Sequence, residues 1–386
     1  MSDIGPPPAY GGKRLVLLYH DLRDRLAGRK ARANARWGWV HPPPGRGRLI
    51  WLRAGASRAS VLLAADLLAA IRQTRQDVRL VLSFESDYPE LYAPRLQGLK
   101  KVGVGYGHCD TPGAVRRVFE RLDPFAVIAV GEPPGPRFLD YLASDYNGHS
   151  LAFQLEAPLQ RGRFELACPP YGVTAGAACA EHESPCDMHT LLVQAQVEPS
   201  LGGVLRGSRD QLRLLWLGGV QASELYALRQ AWHAHPLSDN AVLCLSPTAG
   251  ESLGQAAGLQ RFSQWSRTAV APGTLMCMDE PRWLAAVAAS ADAIHLLRAE
   301  RPVLWQALAG GAPLSLGPEL SPPPLPDLQT LPRLEKPGEL FAHWQAQLSD
   351  PLATRRRGDQ ARRLFWQARR QAEQVSRRLL QRIYQW

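Results

Sequence analysis

Short apolar runs alternate with helix-length segments along most of the chain, and that alternation limits the fold more than any other feature. Residues 49–52, 78–84, 102–106 and 125–130 read as strands, with helices over 61–73, 88–99 and 111–122 between them. Strands that are apolar throughout are buried on both faces, and a helix after each one carries the chain back to start a parallel neighbour. Thr111 followed by Pro112 supplies an N-cap and a first-turn residue. The pattern weakens from about 157 to 208. A second series follows: strands at 212–217, 241–245, around 268–270, 293–297 and 313–316, and helices at 223–233, near 251–259, at 282–289 and at 302–308. The 386 residues suffice for two cores. Two α/β domains across a cleft are the simplest account. The expected division is a basic N-terminal segment and linker (1–47), a first Rossmann-like domain (48–208), a second (209–350) and an Arg-rich C-terminal helix (351–386).

With 45% hydrophobic and 21% charged residues, the chain is a globular protein and not a disordered one. No apolar run is long enough to span a bilayer, and residues 1–12 lack the apolar region of a secretory signal, so the expected location is the cytoplasm. The net charge of +10 is unevenly placed. Residues 13–36 hold eight Lys or Arg against two Asp, and residues 355–386 hold ten Arg against one Asp and one Glu. The two ends therefore carry more than the whole excess, and the body is weakly acidic. A nucleic-acid groove would place its basic residues in the body, so nucleic acid is not an expected partner. An anionic surface is. Residues 15–39 predict one basic amphipathic helix, which suits either a membrane surface or packing on its own domain. The aromatics Phe365, Trp366, Tyr384 and Trp386 are set among the Arg pairs of the tail, where a helix is expected over 361–384.

The stretch L-I-W-L-R-A-G-A-S-R-A-S, 49–60, is a strand, a small-residue turn and a helix start. Ligands of α/β sheets bind at such places, where free backbone N–H groups favour anions. This turn offers Arg53, Ser57 and Arg58 but no carboxylate. Glu132, at the end of the 125–130 strand, is the carboxylate expected to face the ligand crevice, with a plain surface role as the alternative. Arg53, Arg58 and Arg298 suit a bidentate clamp on phosphate or an acidic sugar, or a solvated surface. Gly218 and Gly219 follow a strand and precede Ser223, an expected N-cap, so backbone there can approach a donor phosphate. Cys179, His182, Cys186 and His189 repeat C-x-x-H, a spacing able to hold a structural zinc ion, with free thiols as the alternative reading. No cofactor is otherwise required.

Several segments resemble the 3-deoxy-D-manno-octulosonic acid (Kdo) transferases, glycosyltransferase family 30. They are 49–60, D-T-P-G-A-V-R-R-V-F-E-R-L-D-P at 110–124, the following V-I-A-V-G-E-P-P-G-P, L-A-A-V-A-A-S-A-D-A at 284–293 and Q-A-L-A-G-G-A-P-L-S-L-G-P at 306–318. The resemblance implies the GT-B architecture, two Rossmann-like domains facing a cleft. It also implies transfer of Kdo from CMP-Kdo to a lipid A-type acceptor at the cytoplasmic face of the inner membrane, to which the protein would be peripherally bound. The departures fall on the chemistry. The family's first-turn glutamate, a general base, aligns with Ala59, which cannot accept a proton. A donor-site glutamate aligns with Gln306, the P-R-H element with Pro247 to Ala249, and the G-G-S turn with Leu297 to Ala299. Glu132 falls where the family has E-T-E-L-W-P. The sequence thus implies a Kdo-transferase-like enzyme with an altered site, or a non-catalytic homologue serving as a membrane-associated binding subunit.

Overall fold

The structure is a computed structural model that describes residues 14–193, 212–248, 253, 259–262, 270–280, 283–320, 325–334 and 336–386. The chain divides into two compact units, Met1–Met188 with Gln371–Trp386, and His189–Arg370.

In the first unit, strands β1 (Leu49–Ala54), β2 (Arg79–Phe84), β3 (Val102–Tyr106), β4 (Pro124–Val130), β5 (His149–Phe153), β6 (Phe164–Cys168) and β7 (Cys179–His182) form one sheet in the order β3-β2-β1-β4-β5-β6-β7. Every pairing is parallel. Helices α3 (Arg58–Thr74), α4 (Pro89–Leu96), α5 (Pro112–Leu122) and α6 (Pro136–Ser144) make the crossovers. β1 is buried along its whole length, as its unbroken apolar sequence requires. Trp51 anchors the core against Phe119 and Phe138. Thr111 caps α5 by accepting from the Ala114 N–H, with Pro112 in the first turn, as the sequence implies. The weakly patterned stretch contributes β6 and β7 at the sheet edge. Gln154 ties it down, donating to the Cys168 and Cys186 carbonyls and accepting from the Met188 N–H.

The expected single helix over 15–39 is two, α1 (Arg14–Leu26) and α2 (Lys30–Arg36). The break is at Gly28, whose φ of 72° lies in the left-handed region. The two helices are joined by carboxylates that α1 turns inward. Buried Asp24 pairs with Arg36 and, at 3.6 Å, with Arg32, while Asp21 accepts from Trp37 Nε1 at 3.0 Å. Leu17 is buried, whereas Leu15, Leu18, Leu22 and Leu26 are exposed. The outward face of α1 is therefore the apolar one.

The second unit holds α7 (His189–Leu192), β8 (Arg213–Val220), α8 (Leu225–His233), β9 (Ala241–Pro247), β10 (Gln260–Arg261), β11 (Leu275–Cys277), α9 (Trp283–Ser290), β12 (Ala293–Leu296), α10 (Arg301–Gly310), β13 (Leu314–Leu316) and α11 (Pro337–Leu348). Its sheet is also parallel, in the order β10-β11-β9-β8-β12-β13. The helix expected near 251–259 and the strand near 268–270 fall mostly outside the described residues. The last helix, α12 (Pro351–Gln385), fills the expected 351–386 segment and starts ten residues before the 361–384 stretch. Residues from Gln371 onward belong to the first unit. There Arg378 and Arg382 pair with Glu183 and Glu181, Arg75 donates to the Ile383 carbonyl, and Trp386 stacks on His149. Two of the tail's ten arginines are thus spent on bracing this unit.

Removing one member of a buried ion pair leaves the other charged and unpartnered, at a cost of about 3 kcal/mol. Asp24→Ala is expected to lower unfolding stability by about that amount and to open the α1–α2 segment to proteolysis before the sheet. Urea titration and limited digestion check this.

Candidate functional site

In a parallel sheet, ligands bind beyond the carboxyl ends of the strands, where the strand order reverses. In the first unit that point lies between β1 and β4. The turn after β1 and the loop after β4 meet there through Glu132. Its carboxylate accepts from the backbone N–H groups of Ala56 at 3.0 Å and Ser57 at 2.7 Å, at the start of α3. An α-helix start favours a negative charge, and here a side chain of the protein supplies it. The fit requires Gly55, since a Cβ at that position would lie 2.3 Å from the Glu132 carboxyl carbon. Ser60 completes the turn, accepting from the Gly55 N–H and donating to the Val130 carbonyl. Asp110 repeats the device at α6, accepting from the N–H groups of Arg137 and Phe138.

The carboxylate that sequence reasoning missed is Glu85, one residue beyond β2. It pairs with Arg53 at 2.8 Å, with the two side chains 13% and 4% exposed. Burial pushes the Glu85 carboxyl up to about 7, outweighing the attraction of Arg53, and the nearby Glu132 pushes in the same direction. Arg53 donates to Oε1, and among the described residues no donor is bonded to Oε2. The signal in the sequence was a lone acid directly after a buried strand, in L-S-F-E-S.

The remaining first-unit candidates have local partners. Ser57 caps α3 by accepting from the Ser60 N–H. Arg58 pairs with Glu90 at 2.7 Å and lies over the Tyr88 ring. Ala59, in the first turn of α3, is buried.

In the second unit the strand order reverses between β8 and β12. Gly219 has φ 77°, and a Cβ there would sit 1.9 Å from the Arg298 carbonyl oxygen, so only glycine fits. Arg298 grips both Glu224, at 3.0 and 2.9 Å, and Glu319, at 2.6 and 3.1 Å, and also donates to the Gly219 carbonyl. The expected phosphate clamp is thus a closed ion-pair knot. Ser223 is not the N-cap. Gln221 takes that role in a reciprocal capping box with Glu224, and exposed Ser223 lies within the first turn. Gln306 is buried within α10. Thr248 donates to the Gly219 carbonyl, and Ala249 lies outside the described residues.

The C-x-x-H repeat does not assemble. Cys179 and His182 lie on edge strand β7, with the Cys179 thiol donating to the Ala175 carbonyl and His182 exposed. Cys186 is buried beside Cys168, whose thiol is pushed up by that contact and by burial. His189 belongs to the second unit. Among the described residues no group of three or more His, Cys, Asp or Glu is placed to hold a metal ion. A strand sends alternate side chains to opposite faces, which scatters ligands that spacing alone had grouped.

Glu85 binds a proton in the folded state that the unfolded chain releases near pH 4.5. From there to about pH 7 the folded form holds more protons, so its contribution makes stability fall as pH rises. Glu85→Gln keeps an acceptor for Arg53 and is expected to flatten this slope, read as urea midpoints from pH 4.5 to 8. Gly55→Ala is expected to dislodge Glu132 and lower the melting temperature, while Gly113→Ala, with nothing within 4 Å, leaves it unchanged.

Residues 31–142 match the family model described as 3-deoxy-D-manno-octulosonic-acid transferase (kdotransferase). A comparison with curated proteins gave no match. Among solved structures, a glycosyltransferase from Rickettsia africae aligns with a TM-score of 0.56 at 8% identity, covering 88% of this chain and 98% of that one. Anabaena Alr3699/HepE, solved with UDP, aligns at 0.53 and 13% identity over 86% and 99%. A putative UDP-N-acetylglucosamine 2-epimerase from Listeria monocytogenes aligns at 0.51 and 11% identity over 81% and 91%. Transferases and an epimerase share the architecture, so these likenesses establish the fold and not the reaction. The chain has the GT-B fold of two parallel-sheet α/β units, and its residues 31–142 are similar to the 3-deoxy-D-manno-octulosonic-acid transferase (kdotransferase) family.

Proposed function

We propose that the protein is a glycosyltransferase of the Kdo-transferase type, moving Kdo or a related sugar from a nucleotide-activated donor to a lipid A-type or related glycan acceptor. The observation that carries this reading is Glu85, a buried carboxyl near neutrality at the ligand end of the sheet whose residues match the family. A general base works best when its pKa lies near the operating pH. Ala59 stands where the family has its usual base, and both oxygens of Glu132 are engaged by the backbone N–H groups of Ala56 and Ser57. Glu85 therefore takes the acceptor's hydroxyl proton. The acceptor oxygen bonds to the anomeric carbon as the bond from that carbon to the phosphate oxygen breaks, and the phosphate leaves with the electron pair. Arg53 holds Glu85 in place and stabilises its charged form. A nucleotide-sugar donor accords with the UDP complex of the Anabaena relative.

The acceptor is proposed to be membrane-borne, and the outward apolar face of α1 supports this. Leu15, Leu18, Leu22 and Leu26 are exposed beside the basic residues of α1 and α2, an arrangement suited to lying in an anionic lipid surface. No described helix is long and apolar enough to cross a membrane. A second reading, a binding subunit without catalysis, is favoured by the closed Arg298 knot, which leaves no free guanidinium at that position for a phosphate.

Titration calorimetry with CMP, CMP-Kdo and UDP-sugars, joined to a transfer assay, tests the proposal. Binding with turnover is expected, and Glu85→Gln should keep donor binding while lowering turnover by at least about a hundredfold. Binding without turnover supports the binding subunit, and no binding of any nucleotide sugar overturns both. Leu18→Glu with Leu22→Glu is expected to weaken flotation with phosphatidylglycerol vesicles severalfold while leaving donor binding intact.

A further inference from the structure

A cavity of about 400 Å³ lies in the first unit between α2 with the chain that follows it and the face of β1, β2 and β3. Its size falls within the range of small-molecule sites. One feature of the chain keeps it open. In the parallel register, Trp51, Val81 and Gly103 stand side by side, as do Arg53, Ser83 and Gly105. At Gly103 the place of a Cβ lies against Pro43, 3.3 Å away, whereas at Gly105 edge strand β3 carries glycine where a larger residue would extend into the cavity. A Cβ added at Gly105 would meet nothing within 4 Å, and its φ lies outside the left-handed region. Neither backbone conformation nor crowding demands glycine there, although glycine weakens a strand and often marks a place where a ligand approaches.

The second observation is His108 in the wall. Its ring is 2% exposed, packed between Trp51 and Phe138. Nδ1 lies 3.0 Å from the Cys109 carbonyl oxygen, which only accepts, so Nδ1 carries the proton. Burial drives this imidazole down to about 4, leaving it neutral, with Nε2 a bare acceptor. Nε2 has no hydrogen-bond partner among the described residues. A buried acceptor left unmade is costly, and such groups call for a partner. Ser83, also in the wall, accepts from Trp51 Nε1 at 2.8 Å and keeps its hydroxyl hydrogen to give. Trp51 thus adjoins both groups. A hydroxyl-bearing ligand has these two wall residues as its polar partners, His108 as an acceptor and Ser83 as a donor.

We infer that this cavity is a binding site for an uncharged, mainly apolar molecule bearing a hydroxyl group. Aromatic and aliphatic walls, among them Trp51, Val81, Phe84 and Leu122, take the apolar body, and His108 with Ser83 reads the hydroxyl. The inference stands on this cavity alone and does not depend on the transfer reaction.

Calorimetric titration of the full chain with 2-naphthol and with 2-methoxynaphthalene, which cannot donate, tests it. Saturable one-site binding of 2-naphthol is expected, with the ether about tenfold weaker, the value of one hydrogen bond. Gly105→Val should abolish binding without lowering the melting temperature, since valine favours a strand. Should that variant not fold, Gly105→Ala makes a smaller step into the same space and should weaken binding. His108→Phe should erase the preference for naphthol over the ether. Equal affinity for the two probes, no saturable binding, or affinity unchanged in a folded Gly105 variant would overturn the inference.

Discussion

The first unit depends on a carboxylate seated at the start of a helix. Glu132 draws the loop after β4 onto the N–H groups of Ala56 and Ser57, and so fixes the turn where β1 gives way to α3. Charge-assisted bonds of this kind are stronger than neutral ones, and the helix start favours the negative charge. The same contact fixes the chemistry that the turn can perform. A position that in other α/β proteins receives a phosphate is filled from within, as Asp110 fills the start of α6.

With Glu132 so placed, the balance of charge at the strand ends passes to Arg53 and Glu85. Arg53 lies beneath the turn, buried, against the Phe138 ring and bonded to Glu85. Two carboxylates and one guanidinium in little solvent cannot all be charged without cost, and Glu85 absorbs it by holding its proton to near neutral pH. In the second unit, Arg298 between Glu224 and Glu319 meets the opposite outcome. It has two carboxylates to itself, its proton is held more tightly than in solution, and the knot is inert.

The fold was readable because strands buried on both faces leave unbroken apolar runs. β1, β4 and β9 fall within a few residues of where those runs place them. Edge strand β7 was not readable, since half-solvated sequence such as C-A-E-H carries no such run, and β6, which pairs with it, lies in the same weakly patterned stretch. The site was legible in location more than in roles. Positions 53 to 60 and Glu132 do meet at the strand-order reversal, but sequence cannot show that Glu132 reaches across to Ala56, nor that Arg53 spends its charge on Glu85. Both pairings join residues more than thirty positions apart. The expectation for Ser223 failed because a glutamine two residues earlier takes the cap, and the cysteine and histidine spacing failed because strand alternation sends Cys179 and His182 to opposite faces of β7.

The central claim is that burial, with Glu132 close by, holds the Glu85 carboxyl near neutrality at the ligand end of the first sheet. Carbon-13 NMR of the side-chain carboxyl, followed from pH 3 to 9 in the folded full chain and assigned with Glu85→Gln, measures it directly. The account predicts a midpoint near 7 that moves downward when Glu132→Gln removes the neighbouring charge. A midpoint near 4.5, the ordinary value for glutamate, would contradict it.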